Sequence, residues 1–256
     1  MISAVVLVKN EEENIIRCLK SLAWCDEVIV IDDYSEEETE ERIKNYGLRI
    51  KNKKIKIYKR KLNGDFAGQR NYGLSKTSGE WVLFVDADEV VTGQLKNEIQ
   101  SKLKDEHSLN KYYGFYIKRR DYFLGKWLKY GETGRIKLLR LARADAGRWE
   151  GRVHEVWNVK GRTGELINPL HHFPHKNISS FLQKINYYTD LVVQCWKEEG
   201  KKMHFWEVIF YPSGKFIQNY IIRLGLLDGT AGLIMAFMMS FHSYLSRAKF
   251  YLSKNG

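Results

Sequence analysis

The 256-residue chain carries only three prolines and three cysteines, and it has no low-complexity tract. With 44% apolar and 29% charged residues, that scarcity excludes a disordered or fibrous polymer and leaves a folded protein with room for a substantial core. Cys18, Cys25 and Cys195 form no Cys-x-x-Cys pair, and their odd number argues against a disulfide framework, so a reducing cytosol is expected. The first residues lack a basic stretch and a small-residue cleavage site, so export is not expected. Also missing is an apolar run of the roughly 20 residues that a membrane-crossing helix needs.

Charge is abundant but uneven. The chain holds 42 Lys and Arg against 31 Asp and Glu, a formal net charge of +11. Residues 1–110 have 18 basic and 20 acidic side chains, whereas residues 111–256 have 24 and 11. The second half is therefore suited to an anionic partner, whether nucleic acid, acidic lipid or a phosphorylated substrate.

The first hundred residues alternate short apolar runs with helical patterns. Strands are expected at Ala4–Val8, Val28–Ile31, Ile55–Tyr58 and Trp81–Val85, with helices over residues 12–22, 36–46 and 66–75. Repeated βα units imply an α/β, Rossmann-like and mainly parallel sheet with helices on both faces. From Tyr112 short strands rich in aromatics and cations extend the sheet, and from Ile178 helical spacing returns, with Phe181, Ile185, Tyr188 and Val192 on one face. Gly229–Phe241 is apolar, bounded by Asp228 and by His242, Arg247, Lys249 and Lys254. That pattern suits an interfacial helix on a membrane, and it suits a buried core helix as well.

Sheets of this kind bind ligands beyond the carboxyl ends of their strands. There the sequence places Lys9-Asn10-Glu11, Asp32-Asp33-Tyr34-Ser35 and Asp86-Ala87-Asp88-Glu89. Two carboxylates one residue apart suit a hard divalent cation that neutralises a diphosphate, although acidic pairs also start helices, as one could over 89–103. Asp32 and Asp33 could accept hydrogen bonds from a base or ribose, or cap the next helix. Arg70, in Gly64-Asp65-Phe66-Ala67-Gly68-Gln69-Arg70-Asn71-Tyr72-Gly73, could reach a nucleotide as a planar donor.

Together, residues 5–10, 14–22, 30–35 with Thr39, Gln69-Arg70-Asn71-Tyr72-Gly73 and residues 81–89 resemble the nucleotide-sugar domain of family-2 glycosyltransferases. Within that family Phe66 to Asn71, Trp149-Glu150-Gly151-Arg152-Val153-His154-Glu155 and the stretch Arg223–Gly229 look most like bacterial lipopolysaccharide inner-core glucosyltransferases. The resemblance implies a GT-A fold over residues 1–175, with a nucleotide-sugar half (1–110), an acceptor half (111–175) and a helical, membrane-associating extension (176–256). It implies inverting transfer of glucose or another hexose from a UDP-sugar, with Mg2+ or Mn2+, to a lipid-linked or lipopolysaccharide-core acceptor. The enzyme would then work peripherally on the anionic inner face of the cytoplasmic membrane.

Carried over by position, Asp33 would bind uracil, with Tyr34 standing where the family has a small residue. Asp32 and Arg70 would hold the nucleoside, Glu11 would lie nearby, and Asp86 and Asp88 would serve ribose and metal. Glu155 would be the general base, or else an ion-pair partner of Arg152 or Lys160, with His154 or Trp149 shaping the acceptor site. His172, within His171-His172-Phe173-Pro174-His175, would add a metal ligand. A sugar-phosphate nucleotidyltransferase is the rival enzyme class, but it calls for a Gly-rich loop where Lys9-Asn10-Glu11-Glu12-Glu13 stands. An RNA-binding module would use the basic half yet leave the acidic strand ends without a role, so no nucleic-acid partner is expected.

Overall fold

The computed structural model describes residues 1–49, 54–152 and 154–255. The chain runs β1 (Ile2–Val8), α1 (Ile15–Ser21), β2 (Glu27–Asp32), α2 (Glu37–Arg49), β3 (Lys54–Lys59), α3 (Phe66–Leu74), β4 (Trp81–Asp86) and β5 (Glu89–Val91). It continues through α4 (Gly93–Lys102), α5 (Glu106–Lys111), β6 (Gly114–Phe123), β7 (Lys126–Trp127), β8 (Lys137–Arg143), β9 (Gly147–Glu150) and β10 (Val156–Val159). Last come β11 (Thr163–Glu165), β12 (Leu170–His172), α6 (Ile178–Glu198), α7 (Phe205–Ile217) and α8 (Gly229–Asn255). Two compact units emerge: residues 1–119 with 137–172, and residues 120–136 with 173–256. The stretch 120–136 groups with residues 173–256, and its first four residues are the end of β6.

In the first unit the strand order is β3-β2-β1-β4-β8-β6-β12-β5. The first four strands are parallel, and β8 and β6 join antiparallel. Strands β1, β2 and β4 are buried on both sides, which is why they read as continuous β-branched and aromatic runs. Their side chains alternate. Ala4, Val6, Val8, Val28, Val30, Leu83 and Val85 pack with Ile15, Cys18, Leu19 and Leu22 of α1 and its end. Val5, Ile29, Ile31, Val82 and Phe84 pack with Ala67 of α3 and with Trp149 and Trp157 of the β9–β10 hairpin.

One buried carboxylate ties the sheet together at its other end. Glu27 accepts from Ser3 Oγ (2.7 Å), from the Ser78 backbone N–H (2.6 Å) and hydroxyl (2.8 Å), and from Lys56 Nζ (3.0 Å). Burial alone would raise its pKa, but these donors hold it down to about 2.

Two local expectations shift. Residues 89–91 form β5 rather than a helix start, and the helix begins later, where Thr92 Oγ1 accepts from Leu95 N–H at 3.1 Å. On α6, Thr189 rather than Tyr188 completes the buried face with Phe181, Ile185 and Val192. Tyr188, at the margin of that stripe, is 38% exposed.

In the second unit Tyr122 and Phe123 pair with β7, and Phe123, Leu128, Phe181, Ile185, Ala231, Met235 and Met238 form the core. The apolar segment 229–241 therefore belongs to a 27-residue helix, α8, with one face in that core. His175 also belongs here, stacked on Phe181 with ring centroids 3.5 Å apart.

Candidate active site

The site grows from strand register. Val8 lies opposite Asp32 and Leu7 opposite Asp86, so both acids leave the sheet at the same carboxyl edge, on either side of β1. The loops after β1 and β2 are locked together. Asn10 N–H donates to Ser35 Oγ (3.0 Å), Asn10 Oδ1 accepts from Glu36 N–H (2.9 Å), and Lys9 Nζ donates to the Asp33 and Tyr34 carbonyls (2.5 and 2.8 Å). Asn10 and Tyr34 sit at φ 50° and 51°, a left-handed conformation that a bulky residue such as Tyr34 adopts only when its surroundings impose it. The exposed Tyr34 ring is flanked by the Lys59 and Lys61 ammonium groups, 5.9 and 5.8 Å from its centroid.

Asp32 is buried; its Oδ1 accepts from Ser35 N–H at 2.9 Å, and Oδ2 has no partner among the described residues. Asp33 is half-buried and its Oδ1 accepts from Leu62 N–H at 2.9 Å, tying β2 to the segment before α3. Glu11 takes a helix-starting position instead: its carbonyl accepts from Asn14 and Ile15 N–H, and its carboxylate from Asn14 Nδ2 at 2.8 Å.

Helix α3 works as a bracket. Asp65 caps it, accepting from Gly68 N–H at 2.8 Å. A Cβ on Gly68 would fall 2.0 Å from Asp65 Oδ2, and one on Gly73 only 2.5 Å from Val5 Cγ1, so both glycines are needed for close approach. Asn71 clips β9, donating to the Trp149 carbonyl (2.8 Å) and accepting from its N–H (3.0 Å).

Between these glycines Arg70 is driven inward. Its Nε donates to Glu155 Oε1 at 2.7 Å and its Nη2 to Asp86 Oδ1 at 3.0 Å, while the guanidinium lies 4.7 Å from the centroid of the buried Trp149 ring. Glu155 is thus an ion-pair partner of Arg70. Trp149 supports Arg70 from within the core, and His154, at φ 62°, is exposed in the turn before Glu155. Val153 of this motif lies outside the described residues.

A second arginine, not anticipated from the sequence, completes the arrangement. Arg140 on β8 is buried; its Nη2 donates to Asp86 Oδ2 at 2.5 Å and lies 3.5 Å from Glu89 Oε1. Glu89 Oε2 in turn accepts from Asp86 N–H at 2.9 Å. Burial works against the charged form of Asp86, yet Arg140 and then Arg70 overcome it and hold its pKa well below the usual carboxylate range. For Glu89 burial prevails over Arg140, and with the Asp86 charge it pushes the pKa up. The Cys18 thiol beneath them, raised by burial and then by Glu89, Asp88 and Asp86, stays protonated. The available signal for Arg140 was a lone cation interrupting the apolar run Leu138-Leu139-Arg140-Leu141-Ala142, since a buried charge needs partners.

The third acidic position points elsewhere. Asp88 Oδ2 lies 3.4 Å from His172 Nε2, and His172 is held on β12 in register with Glu89. A six-coordinate Mg2+ or Mn2+ with ligands near 2.1 Å places neighbouring donors about 3 Å apart. Asp88 and His172 fit two adjacent positions on such an ion. Asp86, the third expected ligand, receives a guanidinium N–H at each of its oxygens, which leaves each oxygen one further lone pair. Among the described residues no three His, Cys, Asp or Glu side chains form a metal-binding group, so an ion here would draw its remaining ligands from water and diphosphate.

These features agree with three comparisons. Lipopolysaccharide core biosynthesis glycosyltransferase LpsC of Rhizobium meliloti is 28% identical over 254 residues, covering 98% of this chain and 92% of LpsC. Among solved structures, Staphylococcus aureus TarS 1–349 in complex with UDP-GlcNAc superposes with a TM-score of 0.51 at 16% identity, over 95% of this chain and 81% of that one. The mannosyltransferase PcManGT of Pyrobaculum calidifontis, in complex with GDP-Man and Mn2+, gives 0.53 at 12% identity over 99% and 87%. The fold is GT-A with a helical C-terminal region, as the sequence implied. The family model described as glycosyl transferase family 2 matches residues 3–150, and the chain belongs to that family.

Proposed function

We propose that this glycosyltransferase moves glucose or another hexose from a UDP-sugar, with inversion, to a lipid-linked or lipopolysaccharide-core glycan in cell-envelope biosynthesis. The name and near full-length match of LpsC support that acceptor class. The observation that carries the reading is Arg70, one guanidinium bonded to both Asp86 and Glu155. Inversion is a single in-line displacement, and it needs a base on the acceptor side and anion-stabilising groups on the leaving-group side. Arg70 fixes the spacing of those two sides on a buried, aromatic-backed hub.

In this scheme Asp33 receives the uracil, with Asp32 and Glu11 shaping the loops that surround the nucleoside. Asp86, kept ionised by its two arginines, accepts hydrogen bonds from the ribose. Glu155 takes the proton of the acceptor hydroxyl as its oxygen bonds to the anomeric carbon, while the bond from that carbon to the β-phosphate oxygen breaks and UDP leaves. Asp88 and His172 would hold a divalent cation, which when bound neutralises charge on the diphosphate. Replacing Glu155 with Gln keeps the shape but removes the base, so transfer should fall about 10²- to 10⁴-fold while UDP-sugar binding, read by thermal shift with Mn2+ or Mg2+, persists. Transfer at the wild-type rate by that variant, or stabilisation by GDP- or ADP-sugars in place of UDP-sugars, would overturn the assignment.

A further inference from the structure

The helical unit reverses the usual partition of side chains at one place. Helices α7 and α8 pack side by side as a hairpin: Phe205 meets Tyr251 (6.0 Å between ring centroids), Ser240 Oγ donates to the Pro212 carbonyl (2.7 Å), and Phe216 meets Phe237 (5.4 Å). Residues 217–228 form its tip. There Ile221, Ile222 and Leu227 are 53%, 68% and 55% exposed, and Ile217, Leu224 and Leu226 are exposed beside them. Two polar residues of the same stretch face inward: Asn219 is 2% and Asp228 7% exposed.

The inward polar groups are satisfied. Asp228 accepts from the Lys129 and Tyr130 N–H groups (3.1 and 2.9 Å), Asn219 Nδ2 donates to Glu132 (3.3 Å), and Lys215 pairs with the same carboxylate (2.7 Å). Water favours the opposite arrangement, and hydrocarbon favours this one. The apolar surface continues along α7 through Trp206, Ile209 and Phe210, and on α8 through Phe237 and Phe241. A contiguous patch of this kind marks a partner.

Charge and aromatic placement choose the partner. Residues 201–256 hold seven Lys and Arg and two acids, and residues 229–246 carry no charged side chain at all. Lys201 and Lys202 lie just before α7 and Arg247 lies on the later turns of α8, and the Arg247 guanidinium is 4.4 Å from the ring centroid of Tyr211, which in turn neighbours Trp206. Amphipathic rings beside cations are the arrangement that suits the head-group level of an anionic bilayer. No single helix among the described residues is long and apolar enough to cross a membrane, although the two taken together reach that hydropathy across their break. Arg223, at the tip, sets the depth, since a cation is costly at the bilayer centre and favourable near phosphates.

We infer that the α7–α8 hairpin is a monotopic anchor whose tip, residues 217–227, enters one leaflet of an anionic membrane to the acyl boundary. The inserted element is the tip and the outer face of α7 rather than segment 229–241, which spends one face on the core. Attachment of this kind places the protein peripherally on the cytoplasmic membrane, beside a lipid-anchored acceptor. Membrane binding and sugar transfer are read by separate assays, so either can fail alone.

The full-length protein should sediment with phosphatidylcholine vesicles containing phosphatidylglycerol, less with phosphatidylcholine alone, and less at high salt. Ile221→Asp with Leu227→Asp should weaken partition about tenfold or more. The neutral pair Ile221→Ser with Leu227→Ser should also weaken it, separating lost insertion from added repulsion. Because all these positions are exposed, both variants should melt within a few degrees of wild type. Three results would overturn the inference: wild-type protein left in the supernatant with both vesicles, variants that sediment like wild type, or a dimer in solution that the same substitutions dissolve.

Discussion

Arg140→Met removes a guanidinium that two carboxylates share, and the structure sets the size and sign of the effect. Arg140 Nη2 donates to Asp86 Oδ2 at 2.5 Å and faces Glu89 Oε1 at 3.5 Å, with Arg140 and Glu89 fully enclosed. Breaking a buried ion group by deleting one partner costs about 3–5 kcal/mol, and here Glu89 loses its nearest cation while Asp86 keeps Arg70, which sets the cost toward the lower end. For a domain of this size that lowers the melting temperature by about 6–20 °C. The loss should depend on pH. Asp86 has a folded pKa below its ordinary 3.8, so its contribution is complete above that value and disappears as pH falls through the folded one. Glu89, raised above 4.5 by burial, behaves oppositely: its cost appears as pH rises through its folded pKa, and loss of Arg140 moves that pKa further up. The variant should therefore lag wild type most near pH 8 and recover toward pH 5, where the orphaned pair can hold a proton. Urea unfolding at pH 5, 6.5 and 8 measures this directly. A deficit below about 1 kcal/mol, or one equal at the three pH values, would show that Arg140 acts by packing rather than charge.

Two further substitutions probe the scaffold. Glu27→Gln removes a carboxylate whose pKa is held at about 2 against an ordinary 4.5, a difference equivalent to about 3 kcal/mol of stability present above pH 4.5 and lost as pH falls toward 2; the variant's acid-unfolding curve should be correspondingly flatter. Gly73→Ala puts a methyl 2.5 Å from Val5 Cγ1 and 3.2 Å from Ile31 Cγ1, which should cost about 1–3 kcal/mol, with Val5→Ala in the same chain restoring much of it in thermal melts.

The sheet was readable because its central strands are buried on both faces, which leaves the apolar runs ending in Asp32 and Asp86 uninterrupted in the sequence. Position in such a run also told where chemistry would sit, since side chains past the last buried residue gather at one edge. Arg140 was not readable in the same way. A single cation within Leu138–Ala142 signals a buried partner, but only the antiparallel pairing of β8 with β4 says which partner. The hairpin tip was hidden for another reason: residues 217–228 mix exposed isoleucines and leucines with an inward Asn and Asp, and neither face is visible until the helix breaks.

The sequence Phe66–Gly73 shows why a structural and a chemical role are hard to separate here. Its glycines serve closeness, letting α3 lie against Val5 and the Asp65 cap, and its Asn71 serves attachment to β9. Those same features leave Arg70 no exit toward solvent, so the guanidinium must spend its donors on Asp86 and Glu155 and its face on Trp149. A substitution that only loosened the helix would therefore let Arg70 rotate, and the two carboxylates would lose their common reference at once. Under the proposed roles, packing defects in α3 should then lower turnover through Glu155 and weaken donor binding through Asp86, while Asp33, anchored separately through Leu62, keeps its place.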